Sequence, residues 1–368
     1  MKILISLNSS WNLFNFRAGL IRHFLAQGHE VVAVAPDDGY ARQVESLGCR
    51  FVPIQMKTHG MHPLHEIKLL GRYFRLLRQE RPDVYLGYTV KPNLYGSLAA
   101  MWFRVRVINN IAGLGAVYIS GGLMSRFVSA LYRLALSRSY RVFFQNPDDR
   151  GMFVSQGLVK EHVTAILPGS GIDLSHFSFK PLPDAVSSFR FLLVGRVLWD
   201  KGVGEYVEAA RQLKARFPEV EFCILGFLDS GNPSAIGQSQ MQEWVDEGIV
   251  RYLGVTDDVR VEIEAAHCVV LPSYREGAPR TLLEASAMGR PIVTTDVPGC
   301  RYVVENGITG LLCRPRDAES LARGLERVLA MTPQALTTMG QMGRRKMESD
   351  FDDKLVYRLY SEAIMADK

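Results

Sequence analysis

The chain has 368 residues and a formal net charge of +5, with 47% hydrophobic and 22% charged residues. This composition is ordinary for a globular protein and excludes wholesale disorder, and the length predicts about two domains of roughly 150 residues each. No apolar run approaches the roughly 18 residues that a membrane-spanning helix needs. The opening MKILISLNSS has one lysine and no small-residue cleavage site, so it predicts a first β-strand and not a signal peptide.

The charge is unevenly distributed along the chain. Residues 1–180 contain 21 Lys and Arg against 11 Asp and Glu, a net charge of +10, whereas the remaining residues carry −5. A basic first half predicts an anionic partner for that half, either nucleic acid or a membrane surface. The five cysteines are widely spaced and contain no Cys-x-x-Cys pair, so we expect neither disulfides nor a zinc site. This favours a protein of the reducing cytoplasm.

Short β-rich segments alternate with helical segments along the chain. The predicted strands are 2–7, 30–35, 51–54, 83–88, 105–109 and 141–145, and then 189–194, 220–225, 250–253, 268–271, 292–294 and 310–313. Strands separated by helices imply parallel sheets with right-handed crossovers. The stretch 167–186 is rich in proline and glycine and predicts an interdomain linker. The predicted fold class is therefore α/β, with two Rossmann-like doubly wound domains and a cleft between them.

The segment GRVLWDKG, from Gly195 to Gly202, directly follows a predicted strand. Gly195 permits a tight turn, and Arg196 and Lys201 place two cations in one short loop before a helix. A helix start with two cations is typical of a diphosphate site. A surface loop with two solvated cations would have the same spacing, and the spacing alone favours neither interpretation.

The segment YREGAPRTLLEASAMGRPIV also follows a predicted strand. Pro279 fits the first turn of a helix, which leaves Glu276 in the preceding loop and Glu284 about a turn further on. Carboxylates accept hydrogen bonds from vicinal hydroxyls, as acidic residues do for ribose in dinucleotide folds. Alternatively, Arg280 and Glu284 are spaced i,i+4 and could simply form a surface ion pair.

Together, GRxxxxKG and the E-x7-E pattern resemble the retaining GT-B glycosyltransferases of the glycosyltransferase 4 family. The segments PGSGIDLSHF and DVPGCRYVVENGITGLL extend the resemblance, and the final helix is similar to the family's crossover back to the first domain. The segments SSWNLFNFRAGL, YTVKPNLYGS, INNIAGLG and FFQNPDD are similar to bacterial enzymes that add hexose or N-acetylhexosamine to undecaprenyl-linked saccharides. They resemble in particular the N-acetylgalactosaminyltransferase type of bacterial N-glycosylation.

The resemblance implies a domain organisation and an activity. Residues 1–175 would bind the acceptor, residues 186–350 would bind the nucleotide sugar, and the C-terminal helix 351–368 would pack back on the first domain. The enzyme would move a hexose or N-acetylhexosamine from a UDP-sugar to an undecaprenyl-diphosphate-linked saccharide. No cofactor and no metal are expected, because two cations can replace Mg²⁺ at the diphosphate.

The resemblance also implies roles for particular residues. Arg196 and Lys201 match positions that bind the donor diphosphate, and Glu276 matches the acid at the donor sugar; these three are the predicted catalytic residues. Glu284 matches the acid that holds the ribose. The remaining predicted nucleotide-sugar-binding residues are Gly195, Ala278, Pro279, Arg280 and Thr281.

Retention without an obvious carboxylate nucleophile suggests front-face attack, in which the departing phosphate oxygen takes the proton of the acceptor hydroxyl. The protein then positions both substrates and stabilises negative charge on the diphosphate. Many relatives carry a histidine in a first-domain loop where this chain has Ala112, which again favours substrate-assisted proton transfer.

Four polar residues of the first half are predicted to contact the acceptor saccharide or its pyrophosphate, and the alternative for each is a purely structural role. They are Asn15, Arg17, Lys91 and Asn93. Residues 64–81 and 101–106 mix apolar side chains with arginines, which favours an interfacial helix on anionic lipid. The alternative is an ordinary amphipathic helix covering the sheet.

The expected location is therefore peripheral, on the inner face of the cytoplasmic membrane. Nucleic acid is not expected as a partner, because stacked-aromatic and recognition-helix signatures are missing from the sequence. Two other function classes remain open. A UDP-sugar 2-epimerase of similar build would need additional acid/base carboxylates and histidines. For a non-catalytic binding module, the four intact residues Arg196, Lys201, Glu276 and Glu284 would have no explanation.

Overall fold

The computed structural model describes residues 1–57, 62–113, 122–183, 188–228 and 231–366, with only the backbone of 122–124. Residues 114 and 115 of the INNIAGLG segment, residues 186 and 187 of the expected second domain, and residues 367 and 368 of the final helix lie outside the described residues. The chain divides into two compact units, one of Met1–Ser170 with Lys354–Lys368 and one of Gly171–Asp353. The division falls inside the stretch 167–186.

The described part of the first unit forms a seven-stranded parallel sheet in the order β3-β2-β1-β4-β5-β6-β7. Its strands are β1 (Lys2–Ser6), β2 (Glu30–Ala35), β3 (Arg50–Pro53), β4 (Val84–Tyr88), β5 (Arg106–Ile111), β6 (Arg141–Phe144) and β7 (Thr164–Ile166). The last strand was not predicted, because three residues are too few to show a period. It is held by its pairing with β6.

Helices cover both faces of this sheet. They are α1 (Ser10–Ala26), α2 (Ala41–Glu45), α3 (Pro63–Glu80), α4 (Ser97–Trp102), α5 (Gly122–Leu136) and α6 (Pro147–Ser155). Helix α1 begins at Ser10 because the Ser9 hydroxyl accepts a hydrogen bond from the Asn12 N–H at 3.1 Å, which caps the helix start. It ends just before Gly28, whose φ of 79° is the left-handed conformation that glycine adopts without strain.

The second unit has a six-stranded parallel sheet within its described residues, in the order β10-β9-β8-β11-β12-β13. Its strands are β8 (Arg190–Val194), β9 (Glu221–Leu225), β10 (Arg251–Tyr252), β11 (Cys268–Leu271), β12 (Ile292–Thr295) and β13 (Gly310–Cys313). Its helices are α7 (Val203–Lys214), α8 (Gln238–Asp246), α9 (Val259–Glu264), α10 (Arg280–Ala287), α11 (Cys300–Val303), α12 (Ala318–Leu329) and α13 (Pro333–Lys346).

Each sheet has an apolar core on both faces, as expected for parallel strands covered by helices. In β1, Ile3 and Ile5 belong to one core cluster and Leu4 to the other. In β8, Phe191 and Leu193 face one cluster while Leu192 faces the second. The predicted fold class of two doubly wound parallel-sheet domains is confirmed.

The C-terminal helix α14 (Asp353–Met365) packs on the first unit. Its buried residues Val356, Tyr360 and Ile364 belong to the same core cluster as β1 and β2 residues. The Tyr360 hydroxyl accepts a hydrogen bond from the Asn110 side-chain amide at 3.0 Å, which fixes this helix against β5. Within the described residues, no helix combines the length and the apolar character that crossing a membrane requires.

Candidate functional site

The order of strands in the second sheet brings the two sequence motifs together. From β8 the chain continues to β9 on one side, whereas from β11 it continues to β12 on the other, and β8 pairs directly with β11. Ligands of doubly wound sheets bind outside the carboxyl ends of the strands at such a reversal. The loop 195–202 follows β8 and the loop 272–279 follows β11, so both motifs lie at this reversal.

The loop after β8 is held closely against the loop after β11. The Gly195 N–H donates to the Leu225 carbonyl at 3.0 Å, which continues the pairing of β8 with β9 beyond the strand end. The loop ends at Gly202, with φ of 72°, where an added Cβ would lie 2.1 Å from the Pro272 carbonyl oxygen. Only glycine permits this approach, and it brings Lys201 next to the second motif.

The loop after β11 is fixed from several directions. The Tyr274 N–H donates to the Asp200 carbonyl at 3.0 Å, and the Tyr274 hydroxyl donates to Glu205 Oε1 at 2.6 Å. The guanidinium group of Arg316 lies 4.6 Å from the centre of the Tyr274 ring. Behind the loop, Gly299 packs so closely that an added Cβ would lie 2.6 Å from the Glu276 carbonyl oxygen.

Lys201 and Glu276 form an ion pair between the two loops. The Lys201 ammonium donates to Glu276 Oε1, and the side chains are 20% and 12% exposed. The contact places one cation and one carboxylate side by side at the strand ends. Burial together with the neighbouring Glu276 carboxylate raises the pKa of the nearby Cys300 thiol to about 12. The thiol is therefore neutral at physiological pH.

Arg196 lies in the same loop as Lys201 but has a different environment. It is exposed, and its guanidinium group makes no hydrogen bond or ion pair with any residue that the structure describes. An exposed guanidinium without a carboxylate partner is available for bidentate contact with a phosphate.

The start of α10 differs by one residue from the expectation. Pro279 was expected in the first turn, but the helix begins at Arg280 and Pro279 is the residue before it, with an extended ψ of 119°. The Pro279 carbonyl accepts from the Leu282 N–H at 3.0 Å. The Thr281 hydroxyl donates to the Val194 carbonyl at 3.2 Å, which ties the helix start to the end of β8, and Ala278 is half-buried in the loop.

Arg280 and Glu284 form the i,i+4 ion pair that the sequence left open as an alternative. The Arg280 Nε–H donates to Glu284 Oε1 at 2.7 Å. The pair does not lie on the surface, because Glu284 is only 8% exposed. Burial raises the pKa of the Glu284 carboxyl, and the charge of Arg280 opposes that rise. The role of Glu284 at a ribose stays a prediction.

The four predicted acceptor residues lie in the first unit. Asn15 is exposed on α1 and donates to the Trp11 carbonyl at 3.0 Å. Arg17, also on α1, is buried with its guanidinium 4.4 Å from the centre of the Tyr88 ring. These two therefore face different environments, one in solvent and one against β4.

Lys91 and Asn93 follow β4, and both have partners inside the unit. The Lys91 ammonium donates to Glu66 Oε1 on α3 at 2.6 Å. The Asn93 amide donates to the Asn110 carbonyl at 2.8 Å and accepts from the Asn109 amide at 2.9 Å. These contacts fix the segment after β4 to α3 and β5. Contact with an acceptor stays a prediction for all four residues.

Tyr274 and Glu205 are the site residues that sequence reasoning missed. Tyr274 opens the second motif and was not assigned a role. Glu205 lies near the start of α7, and nothing in the sequence pairs it with a residue 69 positions away.

Comparisons with known proteins agree with this geometry. The family model "Glycosyl transferase 4-like domain" matches residues 16–169, and "Glycosyl transferases group 1" matches residues 188–331. The first match lies in the first unit and the second lies in the second unit. Two doubly wound sheets with these two matches define the class: the protein is a glycosyltransferase of GT-B fold.

The chain belongs to the group 1 glycosyltransferases with a glycosyltransferase 4-like first domain. It is 28% identical over 349 residues, 89% of each chain, to the N,N'-diacetylbacillosaminyl-diphospho-undecaprenol alpha-1,3-N-acetylgalactosaminyltransferase of Campylobacter jejuni. It is 23% identical to the UDP-Gal:alpha-D-GlcNAc-diphosphoundecaprenol alpha-1,3-galactosyltransferase of Escherichia coli, over 84% of this chain and 81% of the other. Among solved structures, the Anabaena protein HepE in complex with UDP matches with a TM-score of 0.78, 17% identity and 99% coverage of both chains.

Proposed function

We propose that the protein is a retaining, metal-independent glycosyltransferase that moves a hexose or N-acetylhexosamine from a UDP-sugar to an undecaprenyl-diphosphate-linked saccharide. It would act at the membrane surface in bacterial glycan or glycoprotein biosynthesis. The observation that carries the proposal is that Arg196, Lys201 and Glu276 lie in two loops at the strand reversal of the second sheet, where Lys201 forms an ion pair with Glu276.

The proposed donor is a nucleoside diphosphate sugar. Its diphosphate needs positive charge that is held in place before the bond breaks, and Arg196 and Lys201 supply two cations in one loop. Glu276 lies beside Lys201, and its carboxylate oxygens can accept hydrogen bonds from the hydroxyls of the donor sugar. The likeness in fold to HepE in complex with UDP supports a uridine nucleotide.

The proposed acceptor is lipid-linked. The two relatives named above act, by name, on sugars joined to undecaprenol through a diphosphate. Both similarities extend over more than four fifths of this chain, and so include the first unit as well as the second.

The proposed reaction proceeds on the face of the sugar that the leaving group occupies. The acceptor hydroxyl oxygen bonds to the anomeric carbon while the bond from that carbon to the diphosphate oxygen breaks. The same diphosphate oxygen takes the hydroxyl proton, so the protein supplies no general base. Arg196 and Lys201 stabilise the charge that develops on the diphosphate, and this is the stabilisation that Mg²⁺ provides in other transferases.

The basic first unit supports action at an anionic membrane surface. On helix α3, Leu64 is 64% exposed and Ile67 is 67% exposed. The acidic residues of this helix are already in ion pairs. Glu66 pairs with Lys91, and Glu80 pairs with Lys2 and Arg50. Apolar side chains with an excess of cations are typical of a helix that lies on anionic lipid.

A UDP-release assay with UDP-hexose and UDP-N-acetylhexosamine donors tests the reaction. Each donor is incubated with and without an undecaprenyl-diphosphate saccharide and with excess EDTA, and the product is analysed by mass spectrometry and NMR. We expect acceptor-dependent UDP release that EDTA does not abolish, and a product with the anomeric configuration of the donor. The variant Arg196→Ala serves as the inactive control.

Other outcomes would each contradict a part of the proposal. Sugar interconversion without UDP release would indicate an epimerase, and donor binding without turnover would indicate a binding module. Inversion at the anomeric carbon would exclude front-face attack, and loss of activity with EDTA would exclude metal independence.

A further inference from the structure

A groove of about 860 Å³ lies in the first unit where helices α3 and α4 end. It borders the start of β4 and β5, so it lies at the amino-terminal ends of the strands, opposite to the loops that follow their carboxyl ends. It is therefore remote from Lys91 and Asn93, which follow β4. We call it the α3–α4 groove, and its principal lining residues are Phe74, Arg75, Arg78, Arg81, Trp102 and Phe103.

The arginines of the α3–α4 groove carry uncompensated charge. Arg75, Arg78 and Arg81 are exposed, and their guanidinium groups make no ion pair or hydrogen bond with any residue in the described ranges. The neighbouring carboxylates already have other partners. Glu80 pairs with Arg50 and with the Lys2 ammonium at 3.0 Å, and Asp83 accepts the Lys2 N–H at 2.7 Å. Three positive charges therefore line one side of the groove.

Aromatic rings form the other side. Trp102 is 76% exposed, and its ring lies 6.1 Å from that of Phe74, which in turn lies 5.9 Å from that of Phe103. Arginines near the end of α3 complement its dipole, and this accounts for Arg78 and Arg81. It does not account for a tryptophan held in solvent beside them. A tryptophan next to arginines is typical of a surface that contacts lipid at the level of the headgroups.

The outward face of α3 leads from the strand-end loops to this groove. Leu64, Ile67, Gly71, Arg75 and Arg78 are exposed and recur every three or four residues, so they form one stripe along the helix. The 18 residues of α3 span about 27 Å. The stripe changes from apolar to cationic along its length and carries no acidic residue. At its cationic end, Arg75 and Arg78 line the same groove as Trp102.

We propose that the α3–α4 groove docks an anionic phospholipid of a bilayer, an inference that rests on the membrane-surface action proposed above. Arg75, Arg78 and Arg81 bind the lipid phosphate, while Phe74 and Trp102 pack against the glycerol backbone and the upper part of an acyl chain. The groove anchors the first unit on the membrane. It takes no part in sugar transfer, because it lies at the opposite ends of the strands from the proposed acceptor residues.

Vesicle binding with matched double variants tests this proposal. Binding is measured by co-sedimentation with vesicles of phosphatidylcholine, with and without phosphatidylglycerol. Arg75→Gln/Arg78→Gln is compared with Arg22→Gln/Arg42→Gln, which removes two exposed arginines elsewhere in the same unit. We expect the partition coefficient on phosphatidylglycerol vesicles to fall about 30-fold in the first variant. In the second variant it should fall much less. Equal losses in both variants would overturn the proposal, as would unchanged binding in the first.

Fluorescence supplies an independent readout of the aromatic side. Phosphatidylglycerol with brominated acyl chains should quench tryptophan emission, and Trp102→Phe should remove most of that quenching; quenching that persists in this variant would contradict the docking. Neither assay contains a nucleotide sugar, so their outcome tests the membrane contact independently of the proposed sugar transfer. With a water-soluble acceptor analogue, Arg75→Gln/Arg78→Gln should turn over like the wild type.

Discussion

The hydroxyl of Tyr274 donates to Glu205 Oε1 at 2.6 Å, and this bond joins the loop that carries Glu276 to the first turn of α7. The second oxygen of Glu205 is buried and has no hydrogen-bond partner among the described residues. Tyr274 is therefore the one described hydrogen-bond donor to this carboxylate. The Arg316 guanidinium lies on the Tyr274 ring and also restrains this side chain. Glu276 follows Tyr274 by two residues, so we expect the Tyr274–Glu205 hydrogen bond to help position it.

We expect Tyr274→Phe to lower kcat more than it raises KM, because the altered loop still binds the donor but holds Glu276 less firmly. The lost hydrogen bond to a charged group should also lower the free energy of unfolding by about 1.5–3 kcal/mol. Steady-state kinetics and urea unfolding check both. The control is Tyr302→Phe, since the Tyr302 hydroxyl makes no hydrogen bond with a described residue. Equal effects of the two substitutions would remove the positioning role of Tyr274.

The two cations of the β8 loop should differ in their effect on stability. Arg196 is exposed, so Arg196→Ala should reduce turnover by orders of magnitude with a change in unfolding free energy of about 0.5 kcal/mol or less. Lys201→Ala should reduce turnover as strongly, but it leaves Glu276 partly buried without its cation. We expect the free energy of unfolding of this variant to fall by about 1 kcal/mol, the upper end of the range for exposed ion pairs, because both side chains are partly buried.

Turnover and thermal melting, measured on the same preparations, check this difference. Arg251→Ala removes an exposed arginine from β10 of the same unit and serves as the control. Near-normal turnover in Arg196→Ala or in Lys201→Ala would exclude that residue from the stabilisation of the diphosphate.

Glu284 predicts a pH dependence of stability. Burial raises the pKa of its carboxyl in the folded protein, although Arg280 opposes this. A carboxyl whose folded-state pKa is raised binds more protons when folded. Its contribution to stability is therefore present below the unfolded pKa and is lost as the pH rises through the folded pKa. Glu284→Gln does not titrate, so the stability of the wild type relative to this variant should fall from acid to neutral pH.

Urea unfolding of both proteins between pH 4 and 7.5 measures this trend. In the Arg280→Met background the trend should be steeper, because the charge that opposes the pKa rise is gone. Parallel stability curves, or a relative gain of the wild type toward neutral pH, would show that Glu284 is not held in the folded state as the structure indicates.

The fold was predictable from the sequence because both sheets are buried on two faces, so most of their strands are short apolar runs between turns. The bounds of β2 and β11 match the prediction residue for residue. The ion pair of Lys201 and Glu276 was not predictable as a contact. The sequence placed both residues after strands, but their contact depends on the lateral order of β8 and β11, which is set by packing across the whole sheet.

Asn93 illustrates a second limit of sequence reasoning. A polar residue after a strand predicts a loop side chain available to ligands. Here the amide is 1% exposed, and it satisfies Asn109 and the carbonyl of Asn110 on the neighbouring strand. Nothing in the spacing of these residues distinguishes a buried amide network from a binding loop.

Gly202 provides a direct test of how closely the two site loops must approach. Its φ is 72° and an added Cβ would lie 2.1 Å from the Pro272 carbonyl oxygen. Gly248 has the same φ of 72°, but an added Cβ would meet nothing within 4 Å. Gly248→Ala should therefore cost only the left-handed backbone penalty, about 1 kcal/mol. Gly202→Ala pays the same penalty and in addition forces the two loops apart.

We expect Gly202→Ala to be clearly less stable than Gly248→Ala and to lose most of its turnover, because the separated loops can no longer hold Lys201 against Glu276. Urea unfolding and UDP release, measured on both variants, separate the two effects. If Gly202→Ala and Gly248→Ala were equally stable and equally active, the close approach of the β8 and β11 loops would have no part in forming the site.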